Sequence, residues 1–455
     1  MNASCLSGAA PASPGANRAD LPRLHGDGVN DDTAAIQARL DSGLSCVHLP
    51  PPAKEYLISK TLLIGSEQEL RLDRMTRIRL APWSNCPMLE NRNQKTGDKR
   101  IAVTGGIWDC DNVSQRCNPG LWKLADDPEK HKPTEYPDRK YHEGRYIGVG
   151  MNFYKVEGIA VRNLTIRNPV MYSAKFCHVS YFTIEDIECD QSKWNPAKSN
   201  MDGIHLDGNC HHGRIANIRG TTFDDLIALN ANDGFCAQEE GPISDIEIDG
   251  VFADYSHSAV RILSASKEAP VERVTIRGIH GNFYRYMVGL TRFFHQRPGR
   301  GVIDDIVIED CYCGLAPWPD DLPPLVRGWF SHMPVVFCDN GVDIGDLTVR
   351  GLHRVERSDP APTISVGSGT TIANLVVRDC VQENRTDRPL VFLQNRGKIV
   401  KKTMDAIALH AAPGAAENIL ETEEKLWTDK GHVADLVKEG KPVDGYYPDA
   451  KPGEY

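Results

Sequence analysis

One short apolar pattern recurs through most of this 455-residue chain and limits what the chain can fold into. From residue 156 onward, each copy has an apolar residue, two variable residues, an apolar, a variable and an apolar residue, two further variable residues and a final apolar residue. The first copy reads Val156, Ile159, Val161 and Leu164. The third apolar position is the marker of each copy. In chain order the markers are Val161, Ile184, Ile215, Ile248, Ile276, Ile308, Val349 and Val377.

This pattern predicts a stack of β-coils. Alternating apolar residues followed by a break are typical of a strand that turns a corner into a second strand. The markers lie 23 to 41 residues apart, so insertions must occupy other corners. A helical solenoid needs apolar runs with a 3.6-residue period, and these units are too short for it. We therefore predict an all-β fold, a single-stranded right-handed parallel β-helix in which each coil buries its apolar face against its neighbours.

The predicted coils extend beyond the marked copies. Apolar residues at 70–72, 78–80 and 101–103 predict earlier strands, and residues 31–40 predict an amphipathic helix that caps the open end. After Leu393 the pattern fades, and residues 415–436 have a helical pattern. A chain of this length ordinarily forms several domains, but coils add length without starting a new core. We predict an N-terminal extension over 1–20, one catalytic β-helix domain over 21–393, and a partly helical C-terminal extension over 394–455.

Charge and composition exclude several classes of partner. The formal net charge is -10, from 62 acidic and 52 basic side chains, which argues against a nucleic-acid surface. No stretch approaches the roughly 18 to 20 apolar residues of a spanning helix, so no membrane partner is expected. Residues 1–17 lack the basic and apolar runs of a signal peptide. We expect a secreted or periplasmic protein whose signal was removed before residue 1, with a cytoplasmic location as the alternative. The pattern sets no oligomeric state.

The cysteine pattern predicts neither a disulfide framework nor a zinc site. The sequence has 13 cysteines, and its closest pair, Cys311 and Cys313, is one residue too tight for the usual zinc or redox motif. Cys189, Cys311 and Cys380 occupy apolar positions of the repeat. We expect them to be small buried hydrophobes.

Stacking converts a position in the repeat into a position in space, because equal offsets in successive coils lie about 4.8 Å apart. Asp224, His257 and Arg285 each stand nine residues after a marker, in consecutive coils. Asp225 is one residue later, and Asp202 lies 22 residues before Asp224, about one coil away. We therefore predict that these five side chains form one polar cluster.

Three neighbouring carboxylates favour acid–base chemistry. They repel one another, so the pKa of at least one should rise toward the range of a general acid. An ionised partner could then deprotonate water or attack a sugar carbon. Alternatively, Asp224 and Asp225 could form a turn in which their carboxylates accept hydrogen bonds from backbone amides. A further alternative is a calcium site made of these two residues with Asp202, Asp207 and Asp233.

Other residues complete the predicted groove. Counting outward with the same alternation exposes His205 and Arg261 on the groove side, with Gly289 leaving space in the next coil. Trp194 and Trp318 lie in long insertions, where aromatic rings suit the apolar faces of sugars or pin the loops to the barrel. The histidines and Cys210 of residues 208–213 could bind a transition metal, although surface or turn histidines are commoner.

At these residues the chain resembles the polygalacturonase family, glycoside hydrolase family 28, within the pectin-lyase-like β-helix superfamily. Residues 200–203, Asn-Met-Asp-Gly, resemble the family's Asn-Thr-Asp-Gly, and residues 224–229, Asp-Asp-Leu-Ile-Ala-Leu, resemble its Asp-Asp-Cys-Ile-Ala-Ile. His257 stands where the family has Gly-His-Gly. Residues 26–37 are similar to the entry segment common to the superfamily.

The resemblance implies an inverting hydrolysis of a glycosidic bond. It gives the role of general acid to Asp225, and it assigns Asp202 and Asp224 to hold and deprotonate the attacking water. By the same resemblance, His257 tunes the acid through a hydrogen bond, and Asn200 contacts the substrate.

One family motif is missing. The Arg-Ile-Lys that grips the carboxylate of galacturonate is replaced by Gly-Leu-Thr-Arg at residues 289–292. Arg261, Arg285 and Arg292 could rebuild an anion site, since a guanidinium binds a carboxylate through two parallel hydrogen bonds. Each could equally be a surface ion-pair partner.

We therefore predict a glycoside hydrolase that cleaves a polysaccharide or oligosaccharide, with an acidic sugar as one option. No cofactor and no metal are predicted. A polysaccharide lyase or epimerase on the same scaffold is the first alternative. A non-catalytic carbohydrate-binding β-helix is the second.

Overall fold

The structure is a computed structural model, and it describes residues 21–115, 148–192, 201–232, 239–292, 299–317 and 332–424. The predicted right-handed parallel β-helix is confirmed. Strands of successive coils pair in parallel, as β-strand Ile243–Leu263 does with Val271–Thr291. The described strands belong to one continuous 25-stranded sheet that wraps around the core.

The described strands are, in chain order, β1 (Cys46–Leu49), β2 (Tyr56–Ile58), β3 (Leu62–Ile64), β4 (Gln68–Leu72), β5 (Arg77–Leu80), β6 (Leu89–Asn91), β7 (Asp98–Thr104), β8 (Ile107–Asp109), β9 (Met151–Arg167), β10 (Ala174–Asp190), β11 (Ile204–Leu206), β12 (Cys210–Thr221), β13 (Asp225–Asn230), β14 (Ile243–Leu263), β15 (Val271–Thr291), β16 (Gly301–Glu309), β17 (Tyr312–Leu315), β18 (Val336–Cys338), β19 (Val342–Arg350), β20 (His353–Glu356), β21 (Ile364–Val366), β22 (Thr371–Asn384), β23 (Leu390–Asn395), β24 (Lys398–Ala411) and β25 (Asn418–Thr422). A short 3-10 helix covers Asn112–Ser114. β4, β5 and β7 confirm the strands predicted before the marked copies.

The predicted markers form one column. Val161 is opposite Ile184, Ile184 is opposite Ile215, and Ile215 is opposite Ile248. The same register continues through the later coils to Val349 opposite Val377. These side chains are buried in a single apolar core. Each coil therefore covers the apolar edge of the next, as the repeat predicts.

The break in the repeat is a left-handed corner. Two residues after every marker, the backbone has a positive φ, a conformation that residues other than Gly, Asn and Asp rarely adopt. The residues at these corners are Asn163, Asp186, Asn217, Gly250, Gly278, Asp310, Gly351 and Asp379. Each residue type at the corner is thus one that tolerates the turn into the next face.

A glycine explains the irregular copy at Ile215. In that copy, Gly213 takes the second apolar position of the repeat and lies opposite Phe182 in the coil before. A Cβ atom at Gly213 would overlap the ring of Phe182. The large residue of one coil therefore occupies the space that the small residue of the next leaves open.

The N-terminal end of the core is capped by a helix, α1 (Thr33–Leu40), as predicted. Its buried residues Ala35, Ile36 and Leu40 face the first coils. Asp32, at the N-cap, accepts backbone amides from His25 at 2.5 Å and from Gly26 at 3.0 Å. These bonds fix the chain that enters the helix.

The coils continue past Leu393, where the sequence predicted an extension. β24 pairs with β22, and β25 pairs with β23 through Leu390 opposite Asn418. The helix predicted for residues 415–436 is wrong over Asn418–Thr422, which is a strand. The free edge of β23 supplies backbone partners, and these outweigh the helix propensity of a short Ala- and Glu-rich segment. Residues 425–455 lie outside the described part of the chain, as does the predicted extension over 1–20.

Cysteine placement agrees with the expectation from the repeat. Cys189, Cys311 and Cys380 are fully buried in the core. All the cysteines within the described ranges are free thiols, and among these only Cys46 is exposed. No helix in the described part of the chain is long and apolar enough to cross a membrane.

The corner geometry predicts an asymmetric response at Gly278, whose φ is +69° and whose added Cβ would come no closer than 3.6 Å to other atoms. Gly278→Asn should cost less than about 1 kcal/mol of unfolding free energy, because asparagine tolerates this conformation. Gly278→Val should cost at least about 1–2 kcal/mol, because a β-branched residue does not. Urea unfolding of the two variants measures the difference. Equal losses would contradict a conformational origin.

Candidate active site

The candidate site lies where β11 and β13 begin on consecutive coils. The amide of Gly203 donates to the carbonyl of Asp225 at 2.9 Å, and the amide of Asp225 donates to Oδ1 of Asp202 at 3.2 Å. Asp202 is therefore the neighbour of Asp225 rather than of Asp224. The sequence count of 22 residues is one residue short of this register, in which Ile204 pairs with Ile227. The two carboxylates still belong to adjacent coils, as predicted.

The next coil brings His257 to Asp224. Nδ1 of His257 lies 3.3 Å from Oδ1 of Asp224. One side-chain ligand atom from each of Asp224, Asp225 and His257 lies within 4.8 Å of the others. The resemblance predicted that His257 tunes Asp225, but the histidine contacts Asp224. The predicted grouping of these three residues is nevertheless present.

Asp225 is surrounded by donors. Its Oδ1 accepts hydrogen bonds from the hydroxyls of Ser258 and Tyr286, the latter at 3.0 Å. Nη1 of Arg261 lies 3.5 Å from Oδ2. Gly289 leaves room for this arrangement, since an added Cβ would come within 2.9 Å of the ring of Tyr286. The space predicted at Gly289 is thus filled by the tyrosine that holds Asp225.

A buried chain of charges lies on the other side of Asp202. Its Oδ2 is 2.6 Å from Nδ1 of His205, and Nε2 of His205 is 3.1 Å from Oδ1 of Asp207. Nζ of Lys175 is 3.0 Å from Oδ2 of Asp207 and 2.8 Å from Oε2 of Glu239. We call Lys175, Asp207 and His205 the Lys175 chain.

Strand alternation places the Lys175 chain beside the cluster. Lys175 of β10 is opposite His205 of β11, and both lie between inward apolar residues. His205 is opposite Ala228, and Ala228 is opposite Arg261. The predicted groove-side register of His205 and Arg261 is therefore present. Both side chains are buried rather than open, and the ring of Tyr172 stacks on His205 with centroids 3.8 Å apart.

The raised pKa expected for one carboxyl falls on Asp202. Burial, together with the charges of Asp224 and Asp225, raises the pKa of Asp202 to about 8 despite the hydrogen bond from His205. Burial would also raise the pKa of Asp224, but the hydrogen bond and charge of His257, with Arg261 and Arg285, hold it below its usual range. The cluster thus contains one carboxyl whose pKa is raised, Asp202, and one whose pKa is lowered, Asp224.

The Lys175 chain is held in its charged form. Burial alone would lower the pKa of His205, but Asp207 and Asp202 outweigh it and raise the pKa to about 10. Burial would raise the pKa of Asp207, yet Lys175 and His205 keep it low. The pKa of Lys175 stays above its usual value because Glu239 and Asp207 outweigh its burial.

The remaining predicted site residues divide into two groups. Arg285 is half-buried, donates from Nε to Sδ of Met333 at 2.8 Å, and lies over the ring of Tyr286. Arg292 follows the groove strand, and its backbone amide donates to the carboxylate of Asp339 at 2.9 Å. Asn200, Trp194 and Trp318 lie outside the described residues.

The sequence interpretation missed Lys175, Ser258 and Tyr286. Lys175 could have been found by counting one coil back from His205 along the groove register. Ser258 and Tyr286 lie opposite Asp225 in the next two coils, one residue after the positions that were counted. The register contained this signal, but finding it required counting further register positions besides those nine residues after each marker.

Several of the candidate metal ligands already contact a cationic side chain or are buried. Asp224, Asp225 and His257 are close enough to hold a cation, but Arg261 lies against Asp225. Asp207, which the calcium alternative needs, is engaged by Lys175 and His205, and Asp233 lies outside the described residues. In the histidine-rich segment, Cys210 is buried and its pKa is raised to about 12 by burial, which disfavours a thiolate ligand.

Comparisons with known proteins identify the fold. A Streptococcus pneumoniae surface adhesin, PfbA, matches at 12% identity with a TM-score of 0.52, covering 90% of this chain and 95% of the adhesin. A tailspike mutant of E. coli bacteriophage HK620, solved in complex with a pentasaccharide, matches at 11% identity with a TM-score of 0.53, covering 86% of this chain and 63% of the tailspike.

A family 28 exopolygalacturonase of Yersinia enterocolitica matches at 16% identity with a TM-score of 0.49, covering 88% of this chain and 76% of the enzyme. No family model and no curated protein sequence matches the chain. At these identities, the structural neighbours show the β-helix fold and nothing finer.

The raised pKa of Asp202 predicts a pH-dependent effect of Asp202→Asn. Folded Asp202 has a pKa of about 8, against an ordinary value of 3.8, so the folded state binds more protons between these values. Stability contributed by this group is therefore complete below about pH 4 and is lost as the pH rises toward 8. From pH 5 to 8, the unfolding free energy of the wild type should therefore fall relative to that of Asp202→Asn. Urea unfolding at several pH values measures this trend, and a gap that is constant with pH would contradict it. The exposed Asp254→Asn is the control, with no trend expected.

Proposed function

We propose that the protein is a glycoside hydrolase that cleaves a polysaccharide or oligosaccharide in the groove beside the carboxylate cluster. The observation that carries the proposal is the meeting of Asp202, Asp224 and Asp225 in adjacent coils, with opposite pKa shifts on Asp202 and Asp224. Hydrolysis needs one carboxyl that donates a proton and another that is ionised. A cluster in which one carboxyl has a raised pKa and another has a lowered pKa meets that need.

The environment of Asp224 suits the base. Its side chain is 11% exposed, against 1% for Asp202 and for Asp225, so it is the carboxylate most open to water. The low pKa of Asp224 keeps it ionised near neutral pH. His257, at 3.3 Å, orients the carboxylate. Asp224 would accept the proton of the water that attacks the anomeric carbon.

The spacing of the carboxylates bears on whether the reaction inverts or retains the anomeric configuration. One oxygen of Asp224 and one of Asp225 lie within 4.8 Å, which is shorter than the about 6.5 to 9.5 Å typical of acid and base in inverting enzymes. Inversion therefore finds no support in the spacing of this pair, and it stays a prediction from the resemblance. The anomeric configuration of the first product, followed by NMR, measures it.

Sugar binding without turnover is the second candidate. The neighbours with TM-scores above 0.5 include a surface adhesin and a tailspike solved with a pentasaccharide. A binding surface, however, has no use for three carboxylates buried side by side, because burial of each costs free energy. The cluster is therefore the reason to prefer an enzyme.

The hydrolase proposal predicts the effect of Asp224→Asn. Loss of the ionised carboxylate should lower kcat/KM by about 10²- to 10⁴-fold, the usual contribution of a general base, with the fold intact. Asp254→Asn, an exposed change on β14, is the matched control and should keep full activity. Products from a panel of neutral and acidic polysaccharides, separated by mass, report the activity, and circular dichroism reports the fold.

Each other outcome of that screen would contradict one part of the proposal. Full activity in Asp224→Asn would remove Asp224 from the mechanism. An unsaturated product that absorbs ultraviolet light would identify a lyase, and a changed sugar with no chain cleavage would identify an epimerase. Tight binding by the wild type without any product would leave the carbohydrate-binding alternative.

Arg285 predicts a preference for acidic sugars. Its guanidinium is half-buried beside the cluster, and its charge acts on Asp224. Arg285→Met keeps much of the apolar stem but removes the charge. We expect kcat/KM on a uronic-acid polymer to fall about 10- to 100-fold more than on a neutral polymer, in keeping with the loss of a hydrogen bond to a charged group. Equal losses on both polymers would assign Arg285 a structural role.

The proposed reaction uses amino-acid side chains alone, and no cofactor or metal enters it. A polymeric substrate is consistent with the proposed secreted or periplasmic location. Fractionation of the producing cells would test this location directly.

A further inference from the structure

The two oxygens of the Asp225 carboxyl have different surroundings. Oδ1 accepts hydrogen bonds from the hydroxyls of Ser258 and Tyr286, the latter at 3.0 Å. Oδ2 is buried and has no hydrogen bond among the described residues, although Nη1 of Arg261 lies 3.5 Å away. A buried acceptor without a hydrogen bond costs free energy, and in a native site it calls for a ligand or a water. Oδ2 is therefore the atom of this carboxyl that still needs a donor.

The two hydroxyls on Oδ1 come from one column of the stack. Asp225 of β13 is opposite Ser258 of β14, and Ser258 is opposite Tyr286 of β15. Both donor side chains are buried, so bulk water does not replace either hydroxyl. The ring of Tyr286 packs in a cluster with Met333 and Phe337. This packing fixes the ring while its hydroxyl reaches Asp225 across the intervening coil.

These contacts favour the ionised form of Asp225. A guanidinium only donates, so the charge of Arg261 beside Oδ2 disfavours a proton on that oxygen. A proton on Oδ1 would take the place of one of the two hydroxyl donors. Burial and the charge of Asp225 raise the pKa of Tyr286 well above its usual value, so its hydroxyl stays a donor. Asp225 thus has the surroundings of an acceptor, whereas the resemblance would make it the proton donor.

Asp224, the most exposed carboxylate of the cluster, gives a ligand access to Asp225. Its side chain is 11% exposed, against 1% for Asp225, and one oxygen of each lies within 4.8 Å of the other. A water that hydrogen-bonds to both, with about 2.8 Å to each oxygen, fits this separation. The hydroxyl of a sugar ring has the same donor chemistry. An O–H group that enters beside Asp224 therefore supplies what Asp225 lacks.

We propose that Ser258 and Tyr286 are positioning residues that hold Asp225 as an ionised acceptor, whose Oδ2 accepts a hydrogen bond from an O–H group of the bound sugar or of the attacking water. This inference rests on the proposed function. Asp224 takes the proton of the water, and Asp225 orients an O–H group beside it. Asp225 gives no proton to the glycosidic oxygen. Arg261, at 3.5 Å, balances the negative charge of Asp225 throughout.

Glycosyl fluorides separate a proton donor from an acceptor. Fluoride leaves the anomeric carbon without help from an acid, so the loss of a proton donor matters little for this substrate. We expect Asp225→Asn to lower kcat/KM at least about 100-fold, both on the polysaccharide that the wild type cleaves and on the fluoride of the sugar released from it. A rate on the fluoride close to that of the wild type would instead make Asp225 the proton donor.

Azide and deoxy sugars identify the O–H group that Asp225 binds. Azide attacks without a proton to lose, so it should restore the activity of Asp225→Ala on the fluoride if Asp225 orients the attacking water. If Asp225 orients a sugar hydroxyl, azide should have no effect. The wild type should then lose its advantage over Asp225→Ala on the deoxy fluoride that lacks this hydroxyl. If neither azide nor the removal of any single hydroxyl narrows the difference, the acceptor role is wrong.

A double-mutant cycle tests the role of Tyr286. Tyr286→Phe keeps the ring but removes the donor, so we expect a loss of about 10- to 100-fold in kcat/KM. In the Asp225→Asn background the same change should lose less than about 3-fold, because the charge that it holds is already gone. Ser258→Ala should behave in the same way. Equal losses in both backgrounds would show that these residues only support the fold. The exposed Tyr312→Phe on β17 is the control and should keep full activity.

Infrared spectroscopy tests the ionised form without any substrate. The difference spectrum between the wild type and Asp225→Asn at pH 7 should contain the carboxylate bands of Asp225 and no carbonyl band of a protonated carboxyl. A protonated-carboxyl band that disappears in Asp225→Asn would overturn the acceptor role. If the carboxylate bands are as expected but no polysaccharide is cleaved, the proposed function fails while the ionised form of Asp225 stands.

Discussion

In-register stacking of the coils is the constraint on which the rest of the structure depends. Parallel hydrogen bonding fixes successive coils about 4.8 Å apart, and the marker column gives each coil its register against the next. The corner two residues after each marker must then adopt a left-handed conformation, which explains why Asn, Asp or Gly stands there. The same spacing brings Asp202 beside Asp225 and Asp224 beside His257. Core and candidate site therefore follow from one register.

The fold could be predicted from the sequence because its signal is repeated. Each marker has the same inward position, so errors in a single copy, such as Gly213 opposite Phe182, do not hide the pattern. The sequence did not predict β24 and β25, which form the last coil among the described residues. Asn418 and its neighbours become a strand only because Leu390 offers a partner. That pairing is not visible in a local pattern of Ala and Glu.

The candidate site was predictable in part. Counting from the markers finds Asp224 and His257, which share one register, and it brings Asp202 within one residue of its place. It does not find Tyr286 or Lys175. These two side chains reach the carboxylates from neighbouring coils, and the reach depends on side-chain direction and on the space left by Gly289. Register can be read from sequence, whereas the direction of a long side chain depends on what packs beside it.

Because the spacing between coils is fixed, this scaffold can change its chemistry only through the residue at each register position. Arg261 illustrates the point: it lies between Ala228 and Gly289 in the groove column, and neither neighbour fills the space beside it. The guanidinium can therefore reach back to Asp225, and the ring of Tyr286 can enter above Gly289. A side chain at position 289 would meet the ring of Tyr286 and would push that donor away from Asp225. In this chain, small residues in the column determine the hydrogen bonds of the carboxylates as directly as the charged residues do.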